Sequence, residues 1–241
     1  MGSVRYERSI ILPGWGQAGQ DALRNARVLV VGAGGLGSTV LMYLAAAGVG
    51  TIGIVDGDRV ELSNLQRQVL YGTGDVGRSK CVAAACRLAD LNPEVRTVEH
   101  CTRFSAVNAA GILENYGIAV DCTDNLGTRY DLNEACWRKG IPWVYGAVSE
   151  YHGQVSTFIP GRTACFRCLY PVAQEETARH PRGVLNALVG TVGGIQAGEV
   201  LKLIIGLGKP LAGRLLVWEA LPAAFTSFML DRDPACPICG T

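Results

Sequence analysis

Histidine is scarce in this 241-residue chain, and neither sign of charge is in excess. The three histidines, His100, His152 and His180, stand apart in sequence. Each reads as a surface or satisfied core residue, so nothing here suggests a histidine-based catalytic or ligand cluster. Lysine and arginine number 22 against 21 aspartates and glutamates, a net charge of +1. That balance gives no electrostatic case for nucleic acid or an acidic membrane surface as partner. The four tryptophans, Trp15, Trp137, Trp143 and Trp218, are scattered and form no base-stacking pattern. Internal repeats and low-complexity segments are also missing. Charged residues at Arg5, Glu7 and Arg8 break the apolar run that a signal peptide would need. The longest apolar stretch, Val184 to Leu207, is rich in glycine and carries Gln196, Glu199 and Lys202. It predicts a buried or interface helix and not a membrane span.

What is present suits one α/β domain. The apolar share is 49% and the charged share 18%, enough for a large core. Nine cysteines, an odd number lying mostly in apolar stretches, fit a reducing, cytoplasmic setting better than a disulfide framework. Short apolar runs predict strands at 27–31, 51–55, 95–99, 117–120 and 142–146. Helical patterns fall between them at 38–47, 80–91, 106–115 and 126–139. This alternation predicts a Rossmann-like, mostly parallel sheet with helices on both faces. After Gly146 the rhythm changes. Strands at 153–159 and 215–218, with a long helix from about Val184, predict a mixed or antiparallel extension. A single domain over 1–241 is expected, with a nucleotide-binding half at about 24–147 and a second half at about 148–241.

Gly32, Gly34 and Gly37 fit a G-x-G-x-x-G loop between a strand and a helix. Such a loop lets backbone approach phosphate at a helix N-terminus. Asp56 ends the second strand, where a carboxylate can hold ribose hydroxyls. Taken alone these features describe a dinucleotide site, so an NAD-dependent oxidoreductase is one reading. Asn64, Arg67 and Lys80 argue against it. Cationic groups beside a nucleotide suit a triphosphate and its leaving pyrophosphate. Asp124 ends a later strand at the ligand-binding edge of the sheet, where a carboxylate can hold Mg²⁺ on phosphate oxygens.

Cys165 and Cys168 form one C-x-x-C pair, and Cys236 and Cys239 another. Four thiolates in two such pairs predict one closed, structural zinc site. Neither pair begins a helix after an early strand, as a thioredoxin-like redox pair would. Cys81, Cys86, Cys101, Cys122 and Cys136 read as small core residues.

Together these strings resemble the bacterial MoeB/ThiF family, relatives of the ubiquitin-activating enzymes. The resemblance covers more than about nine-tenths of the chain. It runs from Arg5-Tyr6-Glu7-Arg8 through the glycine loop and Asp56–Gln68, then Lys80, Asn92-Pro93 and Asp121–Asn125. It continues through Gly153-Gln154-Val155 and Cys165–Pro171 to Cys236–Gly240. The strings SNLQRQ and DCTDN carry it far more specifically than the glycines. The resemblance implies an adenylyltransferase that uses ATP to activate the C-terminal Gly-Gly carboxylate of a ubiquitin-like sulfur carrier protein. The acyl-adenylate would later become a thiocarboxylate. By position, Gly35 would sit on the phosphates and Asp56 on ribose. Asn64, Arg67 and Lys80 would contact the polyphosphate, and Asp124 would hold Mg²⁺. Gly32, Gly34, Gly37, Asp58, Ser63 and Asn125 complete the expected nucleotide contacts. Arg8 would reach the ATP site of a neighbouring subunit, which implies a homodimer, and the second half would bind the carrier.

One departure matters. Many relatives carry a further cysteine in the loop after the first C-x-x-C pair. Here the loop from Pro171 to Arg182 has none. The enzyme is therefore expected to stop at the adenylate, with a separate protein supplying sulfur. The chain ends at Thr241, so no rhodanese-like appendage is expected. Adenylation of a peptide or a modified tRNA is the alternative within the same chemistry. A non-catalytic partner subunit is a further reading, opposed by Arg8, Arg67, Lys80 and Asp124 standing together.

Overall fold

The computed structural model describes residues 4–171 and 183–240. Its inner strands are short apolar runs without polar alternation, as strands covered on both faces require. β1 (Arg27–Val31) is buried from Val28 onward, and β2 (Thr51–Val55) is buried throughout. β3 (Arg96–His100), β4 (Ile118–Asp121) and β5 (Trp143–Ser149) complete the parallel part. β6 (His152–Phe158), β7 (Arg214–Glu219) and β8 (Ala224–Met229) follow antiparallel, in one sheet of order β3-β2-β1-β4-β5-β6-β7-β8. Val31 pairs with Val55 on one side and Asp121 on the other, so the three strands end level.

The period of two along β1 divides the core. Val28 and Val30 face a cluster containing α2 (Gly16–Asn25), α3 (Gly35–Ala47), α4 (Lys80–Leu91) and α8 (Asn186–Ile205). Leu29 and Val31 face the opposite cluster. That one is built on α5 (Ala106–Ile112), α6 (Leu126–Lys139) and α7 (Phe166–Leu169). Glycine ends α3 and α6: Gly48 and Gly140 lie at φ 83° and 68°. At the start of α6, Asn125 Oδ1 accepts from Thr128 N at 2.8 Å.

Several details differ from the sequence-based expectations. α3 starts at Gly35 and not at Ser38, because the glycine loop itself supplies the first turn. β5 runs on to Ser149, since β6 pairs with it along its full length. The fifth helix gives way at Leu113–Asn115 to a tighter 3-10 turn. α2 and β8 were not anticipated. α2 is largely polar and buries only Gly19, Gln20 and Leu23. β8 lies on the sheet edge, so no burial pattern marks it. Cys81, Cys122 and Cys136 are core residues as expected, but Cys86 and Cys101 are exposed. Cys86 lies on the outer side of α4, and Cys101 stands one residue past β3. The cysteine-free segment 172–182 lies outside the described residues.

α8 is long and apolar enough to cross a membrane by length and composition. In this fold it packs on α3, β5 and β6. Its buried face carries Gln196 and Glu199. Glu199 Oε2 accepts from Thr157 Oγ1 at 2.8 Å and Leu211 N at 2.6 Å, contacts that belong to a core helix.

α1 (Glu7–Ile10) belongs to an N-terminal arm held at the amino edge of the sheet. Tyr6 packs against Gly48, and its hydroxyl accepts from Asn92 Nδ2 at 2.9 Å. Asn92, fully buried, also donates to Ala45 O at 2.7 Å. Asn92→Ala removes both of these bonds, leaving the Ala45 carbonyl only the Gly48 N–H at 3.0 Å, and should cost about 1–3 kcal/mol. Urea unfolding should show the lower midpoint.

Candidate functional site: a crevice at the carboxyl edge of the sheet

The chain leaves β1 toward β2 on one side and resumes at β4 on the other. Such a switch point opens a crevice beyond the strand ends. Backbone contact closes its floor. Gly32 has φ 95°, and a side chain there would meet Cys122 O at 2.6 Å and Thr123 N at 3.2 Å. A side chain on Gly37 would collide with Gly32 O. Only glycine allows the loop to turn onto α3 this tightly. Gly34, the N-cap of α3, brings no side-chain cap, so the first N–H groups of the helix are left for a ligand.

The loop between β2 and α4 folds over these glycines. Asp56 Oδ2 accepts from Ala33 N at 2.8 Å, and Asp56 Oδ1 accepts from Asp58 N at 2.8 Å. Lys80 is 5% exposed, and its Nζ lies 3.3 Å from Asp58 Oδ2. Arg103 Nη2 stands 3.6 Å from the other Asp58 oxygen. The Arg67 side chain passes 3.6 Å from the Cβ position of Gly35. Asn64 Oδ1 accepts from Gln68 Nε2 at 2.8 Å. Gln68 Oε1 is buried without a hydrogen-bond partner. Ser63 is exposed and accepts from Asn64 Nδ2 at 3.1 Å. Asp124 is exposed just beyond β4, beside the α6 cap Asn125.

Thus the structure gathers Gly32, Gly34, Gly35, Gly37, Asp56, Asp58, Asn64, Arg67 and Lys80 around one loop, with Asp124 and Asn125 at the adjoining strand end. Arg8 is elsewhere. It lies exposed on α1, two residues from Tyr6, which packs at the far end of α3. A helix of that length spans about 20 Å, so Arg8 does not join the crevice of its own chain.

Four supporting residues, Tyr71, Asp121, Arg129 and Gln196, carry no site signal of their own in the sequence. The Tyr71 hydroxyl donates to Ala33 O at 2.7 Å beneath the glycine loop, and burial pushes its pKa up. Asp121 and Arg129 form a buried pair, with Arg129 Nε 3.0 Å from Asp121 Oδ2. Arg129 Nη2 also donates to Thr123 O at 2.6 Å, and Thr123 N donates to Asp121 Oδ1 at 2.9 Å. Full burial pushes the Asp121 carboxyl up, while Arg129 and the Thr123 donors pull it back. From α8, Gln196 Nε2 donates to Asp121 O at 2.7 Å. Asp121 opens the recognised DCTDN string, but nothing in sequence shows that it is buried or that a residue eight positions on answers its charge.

The four predicted cysteines do meet. Their sulfurs lie within 4.8 Å of one another, with Cys165–Cys236 at 3.6 Å and Cys168–Cys239 at 3.2 Å. Tetrahedral coordination with bonds of about 2.3 Å places sulfurs about 3.8 Å apart. The donor set therefore fits a thiolate-bound metal with no open position. Asp233 N points at Cys168 Sγ, 3.4 Å away. Trp137 and Ile238 cover the cluster. Phe166 N donates to Asn133 Oδ1 at 2.9 Å, joining the cluster to α6.

A family model described as the ThiF family matches residues 6–238. The chain belongs to the ThiF family. It is 47% identical to the sulfur carrier protein adenylyltransferase of Thermus thermophilus, over 98% of this chain and 90% of that protein. It is 44% identical to the SAMP-activating enzyme E1 of Haloferax volcanii, over 98% and 88%. Among solved structures it resembles E. coli MccB with ATP at a TM-score of 0.82 and 26% identity, over 92% of this chain and 68% of that one.

In this ThiF-family fold the turn carrying Asp124 hangs on the Asp121–Arg129 pair. Arg129→Ala leaves a buried carboxylate without its partner and should destabilise the protein by about 3–5 kcal/mol. Denaturant unfolding with linear extrapolation would read that loss directly.

Proposed function

We propose that this ThiF-family protein adenylates the C-terminal Gly-Gly carboxylate of a ubiquitin-like sulfur carrier, consuming ATP and releasing pyrophosphate. The observation that carries the reading is the convergence of Lys80, Arg67 and the α3 N-terminus on one crevice, facing the strand end that bears Asp124. The two relatives, matched over nearly their whole lengths, favour a protein carrier over other carboxylates.

A carboxylate is a poor electrophile because its oxygen leaves badly. One carboxylate oxygen attacks the α-phosphorus of ATP, and the bond from that phosphorus to the bridging oxygen breaks. The products are the mixed anhydride with AMP and pyrophosphate. The protein supplies alignment and charge, with no covalent nucleophile of its own. The α3 N-terminus and the Gly32–Gly37 loop receive phosphate. Asp56, oriented through Ala33 N, receives ribose. Lys80 exchanges Asp58 for a phosphate oxygen, and Arg67 and Asn64 close over the polyphosphate. Asp124 would hold Mg²⁺, which supplies charge neutralisation on phosphate oxygens when bound. Zn²⁺ is the metal that best suits the four thiolates. It would tie the C-terminal tail to α7, remote from chemistry. Sulfur arrives from a separate donor, in keeping with the cysteine-free loop. Nine free thiols suit a reducing compartment such as the cytoplasm.

ATP–pyrophosphate exchange should appear when a Gly-Gly carrier is added. Asp124→Ala should abolish it while folding and zinc content stay intact. Exchange by that variant would show that the crevice is wrongly assigned. ATP binding without exchange on any carrier would overturn the carrier reading.

The reading extends to a homodimer in which Arg8 of each chain serves the other's crevice. Arg8→Ala and Asp124→Ala proteins should each be inactive alone. Mixing them after subunit exchange should restore about a quarter of wild-type exchange, because half the dimers then hold one complete crevice. Mixtures as inactive as their components would exclude a shared crevice.

A further inference from the structure

Beyond the ends of the parallel strands, β5 and β6 run on together, with Gln154 opposite Ala147. The Gln154 side chain is anchored at one end only. Its Oε1 accepts from the Tyr145 hydroxyl at 3.1 Å and from the Tyr170 hydroxyl at 2.8 Å. Among the described residues its Nε2 has no hydrogen-bond partner, and it is not sealed from solvent. A side-chain amide whose acceptor lone pairs are both taken presents two N–H donors in a fixed direction.

The anchors are themselves held. Tyr145 is fully buried, and burial raises its pKa far enough to keep the hydroxyl a donor. Tyr170 N donates to Phe166 O at 2.9 Å, and Tyr170 O accepts from the Tyr130 hydroxyl at 3.0 Å. The Arg129 guanidinium lies 5.3 Å from the Tyr145 ring centre. Through its bonds to Asp121 and Thr123, that guanidinium also fixes the turn leading to Asp124. The free amide is therefore one tyrosine and one arginine away from the turn of the proposed reacting centre, along the same sheet edge.

A tail ending in Gly-Gly offers no side chains there, so only its backbone can be read. We infer that the Gln154 amide nitrogen donates to a backbone carbonyl of the carrier's extended C-terminal tail, aligning its carboxylate in the crevice. This rests on the adenylation reading above. Gln154 would be a substrate-binding residue, with Tyr145 and Tyr170 positioning it.

The test is exchange kinetics with a Gly-Gly carrier, varying carrier and ATP separately. Gln154→Ala should raise the KM for carrier roughly threefold to tenfold, the range of one lost hydrogen bond. Its KM for ATP should not move. Gln154→Glu, which has no donor, should do at least as much. Tyr170→Phe keeps the ring and removes one anchor, so it should raise the carrier KM by a smaller factor with ATP again unaffected. Binding to a carrier lacking its last residues should be the same for wild type and Gln154→Ala. An unchanged carrier KM in Gln154→Ala would overturn the inference, as would an equal rise in both KM values. Should Gln154→Ala fail to fold, Tyr170→Phe decides by the same two criteria. Absence of exchange in the wild-type protein would overturn the adenylation reading and this inference with it.

Discussion

Backbone packed directly on backbone sets the geometry of this protein. Gly32 lies against the carbonyl of Cys122, and Gly37 lies against the carbonyl of Gly32. No Cβ fits at either place. That contact brings the ends of β1 and β4 together and starts α3 at Gly35. It also points the uncapped N–H groups of the helix into the space between them. Everything proposed for the nucleotide depends on this approach, because helix dipoles and N–H donors act only within the first turn.

Around that contact lies a shell of buried polar bonds. Tyr71 holds the Ala33 carbonyl, Asp56 holds the Ala33 N–H, and Gln196 holds the carbonyl of Asp121. Arg129 ties Asp121 to the turn that follows. In a low-dielectric interior each of these groups costs far more unpaired than paired. The loops are thereby fixed, although they sit at a sheet edge. Rigidity of this kind suits chemistry that works by alignment, where small displacements of a reacting group are expensive.

The second half serves the first without repeating it. The β5–β6 pair carries Gln154 past the end of β4, with Tyr145 level with Asp121, and α8 covers the opposite face of the same strands. The cysteine cluster meets α6 at Asn133 and Trp137, away from the first turn of that helix at the crevice. It clasps the C-terminal tail to α7, and through Asn133 to α6, the helix whose cap borders Asp124. Four sulfurs with no open position suit a structural metal.

The sequence by itself determined the parallel core. β1, β2, α4 and α6 fall at the expected residues, because their apolar runs and their glycine, asparagine and proline stops are local signals. The glycine loop, Asp56, Lys80 and the four cysteines were legible for the same reason, since each belongs to a short string with its own chemistry. The tertiary structure alone decided the rest. α2 and β8 carry little burial signal, so their existence depends on what they pack against. Cys86 sits in an apolar stretch of sequence, and only the orientation of α4 leaves it exposed; Cys101, among polar neighbours, is exposed because β3 ends at His100. Arg8 stands away from the crevice of its own chain because Tyr6 anchors the N-terminal arm at the far end of α3. The partners of Asp121, Tyr71 and Gln154 lie on other elements, joined by hydrogen bonds whose direction and burial exist only once the layers have closed.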